Sequence, residues 1–166
     1  MLEHVSYSDV LATVALCLAM GTLGWTVYRD AVQKPRFRVS VQVTTFMTET
    51  GAVGPFLTVQ ALNLGPLPNR YQSVCAKHSR LDWPRSMGMF TFSPDRDSPF
   101  NTPPGTKIEV GDDATFAHPY EDGNLLRGRF KRIGVIDGYG RIHWAPRRQV
   151  EKVTNDFLKA FPQAGR

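Results

Sequence analysis

From Val10 to Tyr28 the chain carries no charged side chain, and from Arg36 onward apolar positions alternate with polar ones. The first run is 19 residues long, VLATVALCLAMGTLGWTVY. As a helix rising 1.5 Å per residue it spans about 28 Å, close to the ~30 Å hydrocarbon thickness of a bilayer. Val10, Leu16, Leu18 and Leu23 supply the apolar contact. Trp25 and Tyr28 close one end, where amphipathic rings favour the headgroup layer. Gly21 and Gly24 offer a small-residue face on which a second membrane helix can pack closely. Two competing readings fit less well. A cleaved signal peptide needs a basic start and a small-residue cleavage site, and the chain begins MLEHVSYSD. A buried core helix does not need 19 uncharged residues at an N-terminus.

The pattern then changes to period two. Phe37, Val39, Val41 and Val43 share one face of a strand over 36–43, and Arg36, Arg38, Ser40 and Gln42 share the other. Further strands are expected over 56–64, 70–78, 87–92, 106–110, 114–117, 130–136 and 141–144. Turn residues separate them. Asn63-Leu64-Gly65-Pro66 ends the second strand, with Gly65 expected to supply a positive φ. Asp137-Gly138-Tyr139-Gly140 joins the last two strands into the clearest hairpin. The stretch 93–104, SPDRDSPFNTPP, reads as a loop, and 120–126 as a helical turn. After Pro146 the period becomes helical, placing Val150, Val153, Phe157 and Phe161 on one stripe. Such a helix is expected to pack on the sheets or to cover an open edge strand.

These elements predict a mainly β protein: a single N-terminal transmembrane helix, an immunoglobulin-like β-sandwich and a C-terminal amphipathic helix. The expected divisions are a tail over 1–9, the membrane helix over 10–28, a linker over 29–35, the sandwich over 36–145, and the final helix and tail over 146–166. Pro35 is expected to stop the membrane helix from running into the first strand.

Charge adds an orientation. No Lys or Arg precedes the apolar run, and Arg29, Lys34, Arg36 and Arg38 follow it. The positive-inside rule then puts the N-terminus outside and the C-terminal domain in the cytoplasm, at a cell's inner (plasma) membrane. The segment from Ala31 onward holds 19 of the 20 Lys and Arg and 12 of the 15 Asp and Glu, a net charge of +7. Such a domain is attracted to an anionic leaflet at short range. Only Cys75 lies in the soluble part, which agrees with a reducing compartment. An exported, envelope-facing binding domain is the alternative.

The order of motifs resembles a class of uncharacterised small bacterial membrane proteins. In that class one N-terminal transmembrane helix carries an immunoglobulin-like or fibronectin-like β-sandwich. The segments that carry the resemblance are KPRFRVSV, LTVQALNLGPLP, PPGTKIEVGDDATF and IGVIDGYGRIHW. Its matching points are the Asn63-Leu64-Gly65 turn and the Asp137…Gly140-Arg141 hairpin. The resemblance implies a fold, not an activity, and assigns no functional residue.

A search for chemistry finds little. His78, His118 and His143 have no metal-ligand spacing, and two cysteines cannot build a zinc cluster. No phosphate-binding glycine loop or nucleophile-elbow motif is present. Cys75 lacks a nucleophile signature and reads as a small core residue. The expectation is therefore a non-enzymatic protein with no catalytic residue, metal or cofactor and no evident small-molecule substrate. One cluster stands out: Arg127, Arg129, Lys131 and Arg132 put four cations beside Phe130. It suits an anionic lipid surface or another anionic ligand, or else a charged strand edge that resists aggregation. Nucleic acid is disfavoured, since no recognised module is present. The leading expectation is an interaction module, an accessory or structural subunit of a larger membrane complex. Its partners would be the lipid bilayer and another membrane protein, met through Phe100, Tyr139, Phe157 or Phe161 with a polar rim.

Overall fold

The apolar run lies within a longer helix, α1 (Tyr7–Val32). The computed structural model describes residues 7–32, 36–49, 51–78, 88–95 and 97–165. The chain divides into two units, Met1–Lys34 and Pro35–Arg166. In the first, the helix extends past both ends of the apolar run. Residues 29–32, expected as linker, continue it, because nothing in Arg29-Asp30-Ala31-Val32 breaks a helix before Pro35. Residues 1–6 of the expected tail and 33–35 of the expected linker lie outside the described residues. None of the stretch Val10–Tyr28 is buried. It is long and apolar enough to cross a membrane. Two of its hydroxyls are settled internally: Thr22 Oγ1 donates to the Ala19 carbonyl and Thr26 Oγ1 to the Thr22 carbonyl, both at 2.9 Å.

The second unit is mainly β. Its strands are β1 (Phe37–Thr48), β2 (Gly51–Asn63), β3 (Asn69–Lys77), β4 (Met89–Phe92), β5 (Lys107–Ile108), β6 (Asp113–Pro119), β7 (Arg132–Asp137) and β8 (Ile142–Trp144). Helix α2 (Arg147–Ala160) follows. One antiparallel sheet has the order β1-β2-β6; the other has β4-β3-β7-β8, with β5 added to the start of β3. Core side chains come from both sheets, among them Val39, Leu57, Val59, Val74, Phe116, Ile133 and Val135.

β1 and β2 are longer than their alternation suggests. They pair from Phe37↔Asn63 out to Thr48↔Gly51, with an irregularity between Thr44 and Phe46. Gly54 and Pro55 fall at that irregularity, the place in a sheet where a proline is tolerated. The strands expected over 36–43 and 56–64 leave these residues out, because alternation fails where Gly54 and Pro55 interrupt it. Val43 shares a face with Phe37, Val39 and Val41, yet is 40% exposed, because the hairpin runs on beyond the core.

The Asn63 turn is held differently from expectation. Positive φ values occur at Gly111 and Gly140, not at Gly65. Asn63 itself is fully buried. Its side-chain amide donates to the Leu67 and Ile108 carbonyls at 3.0 and 3.1 Å, and its Oδ1 accepts the Gly65 N–H at 3.0 Å. One asparagine thus ties the turn to β5.

Both edges of the first sheet carry side-chain covers. On β6, Asn101 Oδ1 accepts the Ala117 N–H, and Thr102 Oγ1 accepts the Thr115 N–H. On β1, Gln149 Oε1 of α2 accepts the Val41 N–H at 3.2 Å. The helix therefore covers an edge, as anticipated, while Val150, Val153 and Phe157 enter the core. The helical turn expected near 120–126 falls at Leu125–Gly128, capped by the buried Asn124, whose Oδ1 accepts the Leu126 N–H.

Candidate functional site

The four cations read from the sequence separate once the chain folds. Arg127 sits exposed in the Leu125–Gly128 turn. Arg132 opens β7 and holds its guanidinium 5.7 Å from the centre of the Trp144 ring, a cation–π arrangement. Trp144 approaches the β7 backbone because residue 134 is glycine. A Cβ there would come within 2.6 Å of the His143 carbonyl oxygen and 2.9 Å of the Trp144 ring.

Arg129 and Lys131 go elsewhere. Together with Phe130 they line one side of a cavity of about 280 Å3, and Glu151, Thr154, Asn155 and Leu158 of α2 line the other. Arg129 ends the preceding turn in the left-handed region, at φ 49 and ψ 42, and its N–H donates to the Leu126 carbonyl. The α2 residues were not read as part of a site. Their spacing at i, i+3, i+4 and i+7 does place them on one helical face. The sequence gives no sign, however, that the 129–131 segment lies against that face.

The expected partner-contact residues also part company. Phe100 stacks on Phe46 with centroids 4.4 Å apart and lies 5.4 Å from Phe56, a half-buried trio under the outer half of the β1–β2 hairpin. Tyr139 is 65% exposed at the tip of the β7–β8 turn, with the Arg141 guanidinium 5.7 Å from its ring. Phe157 is a correction: it is fully buried and packs edge-on against Tyr120 at 5.5 Å, so it offers no surface to a partner. Phe161 is half-buried against Phe157 and Tyr120. In α1, Val10, Leu16, Leu18, Leu23, Trp25 and Tyr28 are all exposed, and a side chain at Gly21 or Gly24 would meet nothing within 4 Å.

One buried charge escaped the sequence reading. Asp137, expected as an ordinary turn residue, is 1% exposed. Its Oδ1 accepts the Tyr139 and Arg141 N–H groups, each at 2.9 Å. Its Oδ2 faces Asn69 Nδ2 at 3.1 Å and His143 Nε2 at 2.9 Å. Burial alone would raise its pKa. The hydrogen bonds from His143, the Arg141 N–H, Asn69 and the Tyr139 N–H outweigh burial and hold the carboxyl below its usual range. An Asp–His pair can orient a general base, but here the imidazole packs edge-on against Phe37 at 5.4 Å. Among the described residues no hydroxyl or thiol hydrogen-bonds to it. The pair locks the turn between β7 and β8.

Cys75 is fully buried in β3, and burial pushes its thiol up to about 11, only partly opposed by a hydrogen bond with the Gly134 backbone. It is a protonated core group at neutral pH. His78 packs between the Phe130 and Phe90 rings. His118 Nδ1 lies 3.2 Å from Asn124 Nδ2. Among the described residues no group of three His, Cys, Asp or Glu is placed to hold a metal ion.

Compared with protein-family models, curated proteins and solved structures, the chain matches none of them.

Proposed function

We propose that this chain is a single-pass membrane protein whose β unit serves as a non-enzymatic interaction module, an accessory or structural subunit of a larger membrane complex. The observation that carries the reading is the uncharged, wholly exposed stretch Val10–Tyr28 joined by a short connection to a β unit with its own core. Nineteen mostly apolar residues facing water would be strongly unfavourable at about 25 cal/mol per Å2, and a bilayer removes that cost. The strand orders β1-β2-β6 and β4-β3-β7-β8 support an immunoglobulin-like or fibronectin-like sandwich, in which strands A, B and E face C′, C, F and G. The Lys and Arg residues after the helix favour a cytoplasmic β unit. Tyr139, exposed on a turn braced by Asp137, is the best-placed rigid aromatic contact.

The test is extraction of the native protein in mild detergent and identification of what co-purifies. A companion of fixed stoichiometry is expected; a protein that always leaves the membrane alone overturns the reading. Orientation needs a reporter other than Cys75, whose thiol is buried. Gly123→Cys suits, because a side chain there meets nothing within 4 Å. Labelling of that thiol by an impermeant reagent only after the membrane is broken marks a cytoplasmic β unit. Labelling in intact cells marks an exported one.

A further inference from the structure

β1 is the longest edge strand of the β unit, and only part of its edge is covered. Val41 turns its N–H to that edge, where Gln149 of α2 meets it. Every second residue of a strand does the same, so Val43, Thr45 and Met47 follow. The nearby irregularity does not interrupt this alternation. Gly54 and Pro55 of β2 lie opposite Thr45 alone, so the extra residue belongs to β2 and β1 runs on regularly. Among the described residues nothing hydrogen-bonds to the edge at Val43, Thr45 or Met47, and all three are exposed, Met47 by 80%. The other edge of this sheet, β6, is closed by Asn101 and Thr102. Natural edge strands deter pairing with charged residues or prolines, and from Val39 to Thr48 there is neither. A second observation lies at the start of α2. Pro146 makes no side-chain cap hydrogen bond, and the first turn holds no acidic residue but two exposed cations, Arg147 and Arg148. A helix N-terminus favours a carboxylate there. Between Val39 and Asn69 the one charged residue is Glu49, exposed in the turn that joins β1 to β2.

We propose that the β unit forms a symmetric dimer in which β1 of one copy pairs antiparallel with β1 of a second copy over residues 43–47. Thr45 lies on the two-fold axis, and Val43 of each copy faces Met47 of the other. An antiparallel pair of identical strands is self-complementary, so a single edge serves both copies. In this register Glu49 of each copy comes opposite Val41 of the other. Gln149 already occupies that place, so pairing stops there and the carboxylate is left beside Arg147 and Arg148 in the first turn of α2. The charge pattern selects a second copy of this chain over an unrelated strand. Each β unit is net positive, and this contact brings together only the uncharged strips and sets the one anion of each against cations of the other. The inference does not rest on the accessory-subunit reading.

The test uses the full chain in an excess of nonionic micelles, with Cys17→Ser to remove the exposed thiol of α1. Thr45→Cys sets two thiols across the axis. Hydrogen-bonded neighbours in an antiparallel pair stand about 5.5 Å apart at Cα, within the ~4.4–6.8 Å that a disulfide spans. Mild oxidation is expected to give mainly linked dimer. Gln42→Cys is also exposed on β1, but in this register it lies about 20 Å from its own copy, so it should stay unlinked. Light scattering should find the unaltered chain dimeric. Thr45→Lys, at an exposed position that leaves the core alone, should weaken the dimer about tenfold or more by putting like charges face to face. Glu49→Lys should also weaken it, and adding Arg147→Glu with Arg148→Glu should restore it. A monomeric unaltered chain overturns the proposal and leaves the edge to a strand of another protein. A dimer that links Thr45→Cys no faster than Gln42→Cys, or that withstands Thr45→Lys but not Gly21→Leu, is held elsewhere and overturns it too. Failure of the charge swap to restore the dimer overturns the placement of Glu49.

Discussion

Helix α1 is apolar around its circumference and buries none of the stretch from Val10 to Tyr28, whereas α2 confines its apolar residues to one stripe and buries Val150, Val153 and Phe157. The backbone is the same; the surroundings each helix demands are opposite. Their threonines make the point at single-atom scale. Thr22 and Thr26 bond their hydroxyls back to carbonyls of α1 itself, so neither needs water. Thr154 leaves its hydroxyl unpaired beside a cavity. In hydrocarbon a helix would have to settle its polar atoms in this way. A helix docked on a protein core can enclose one where neither water nor a backbone partner meets it.

The strongest way to break this comparison is Phe157→Ala. Removing a fully buried aromatic side chain should cost about 3–5 kcal/mol, read as a lower urea midpoint for the β unit of the full chain in nonionic micelles. Leu18→Ala in α1 should leave that midpoint unchanged, since Leu18 is exposed and lies outside the core of the β unit. Equal effects would mean that α1 is a core helix after all.

Next comes Leu18→Arg. A cation at the centre of a spanning helix costs about 2.5–3.5 kcal/mol of insertion, so the carbonate-resistant membrane fraction should fall sharply. The matching change on the exposed face of α2, Lys152→Glu, should shift stability by no more than about 0.5 kcal/mol. Unchanged membrane retention of Leu18→Arg would remove the anchor reading.

A third prediction carries the contrast to charge. No charged residue occurs in the stretch Val10–Tyr28, while the β unit buries Asp137 and gives it four hydrogen-bonding neighbours. Its folded pKa is lowered, so its contribution to stability is fully present above the unfolded value of about 3.8. That contribution is lost as pH falls through the lowered folded value. Asp137→Asn should cost about 2 kcal/mol at pH 7, because the new amide would turn a donor toward the Asn69 amide or the Tyr139 and Arg141 N–H groups. It should also flatten the acid limb of stability measured from pH 6 to pH 2. An acid limb of unchanged slope would show that other carboxyl groups govern it.

How much of this was legible in the chain follows from where the information lies. Period and length expose what is local. The apolar run, the alternation at Phe37–Val41, the Asp137–Gly140 turn and the stripe of α2 all correspond to observed elements. Alternation stopped short where breakers interrupt it: the strand expected from Phe56 begins at Gly51, with Gly54 and Pro55 inside β2, because β1 continues alongside. The site was legible by halves. Arg129 and Lys131 stood out as charge, but Arg132 was claimed by Trp144, and α2 supplied the opposite wall from twenty residues further on. Phe157 looked like a contact residue because an amphipathic stripe does not reveal which surface covers it. Asp137 looked like any turn aspartate because its burial depends on Asn69 and His143, which arrive from other strands.

The smallest predicted effect tests what α2 does beyond filling the core. β1 is an edge strand, and an edge N–H exposed in an apolar setting invites pairing with another chain. Gln149 occupies the Val41 N–H from the side, at 3.2 Å, without extending the sheet. Gln149→Ala should therefore cost only about 1 kcal/mol, the worth of one ordinary hydrogen bond, and leave the core untouched. The sharper readout is local. The Val41 amide should exchange with deuterium markedly faster in the variant, while the Val59 and Val135 amides of the central strands keep their protection. Uniform loss of protection across both sheets would mean that Gln149 supports the packing of α2 rather than the edge. Unchanged exchange at Val41 would mean that the docked helix shields the strand by its bulk alone, leaving α2 to differ from α1 only in its buried stripe.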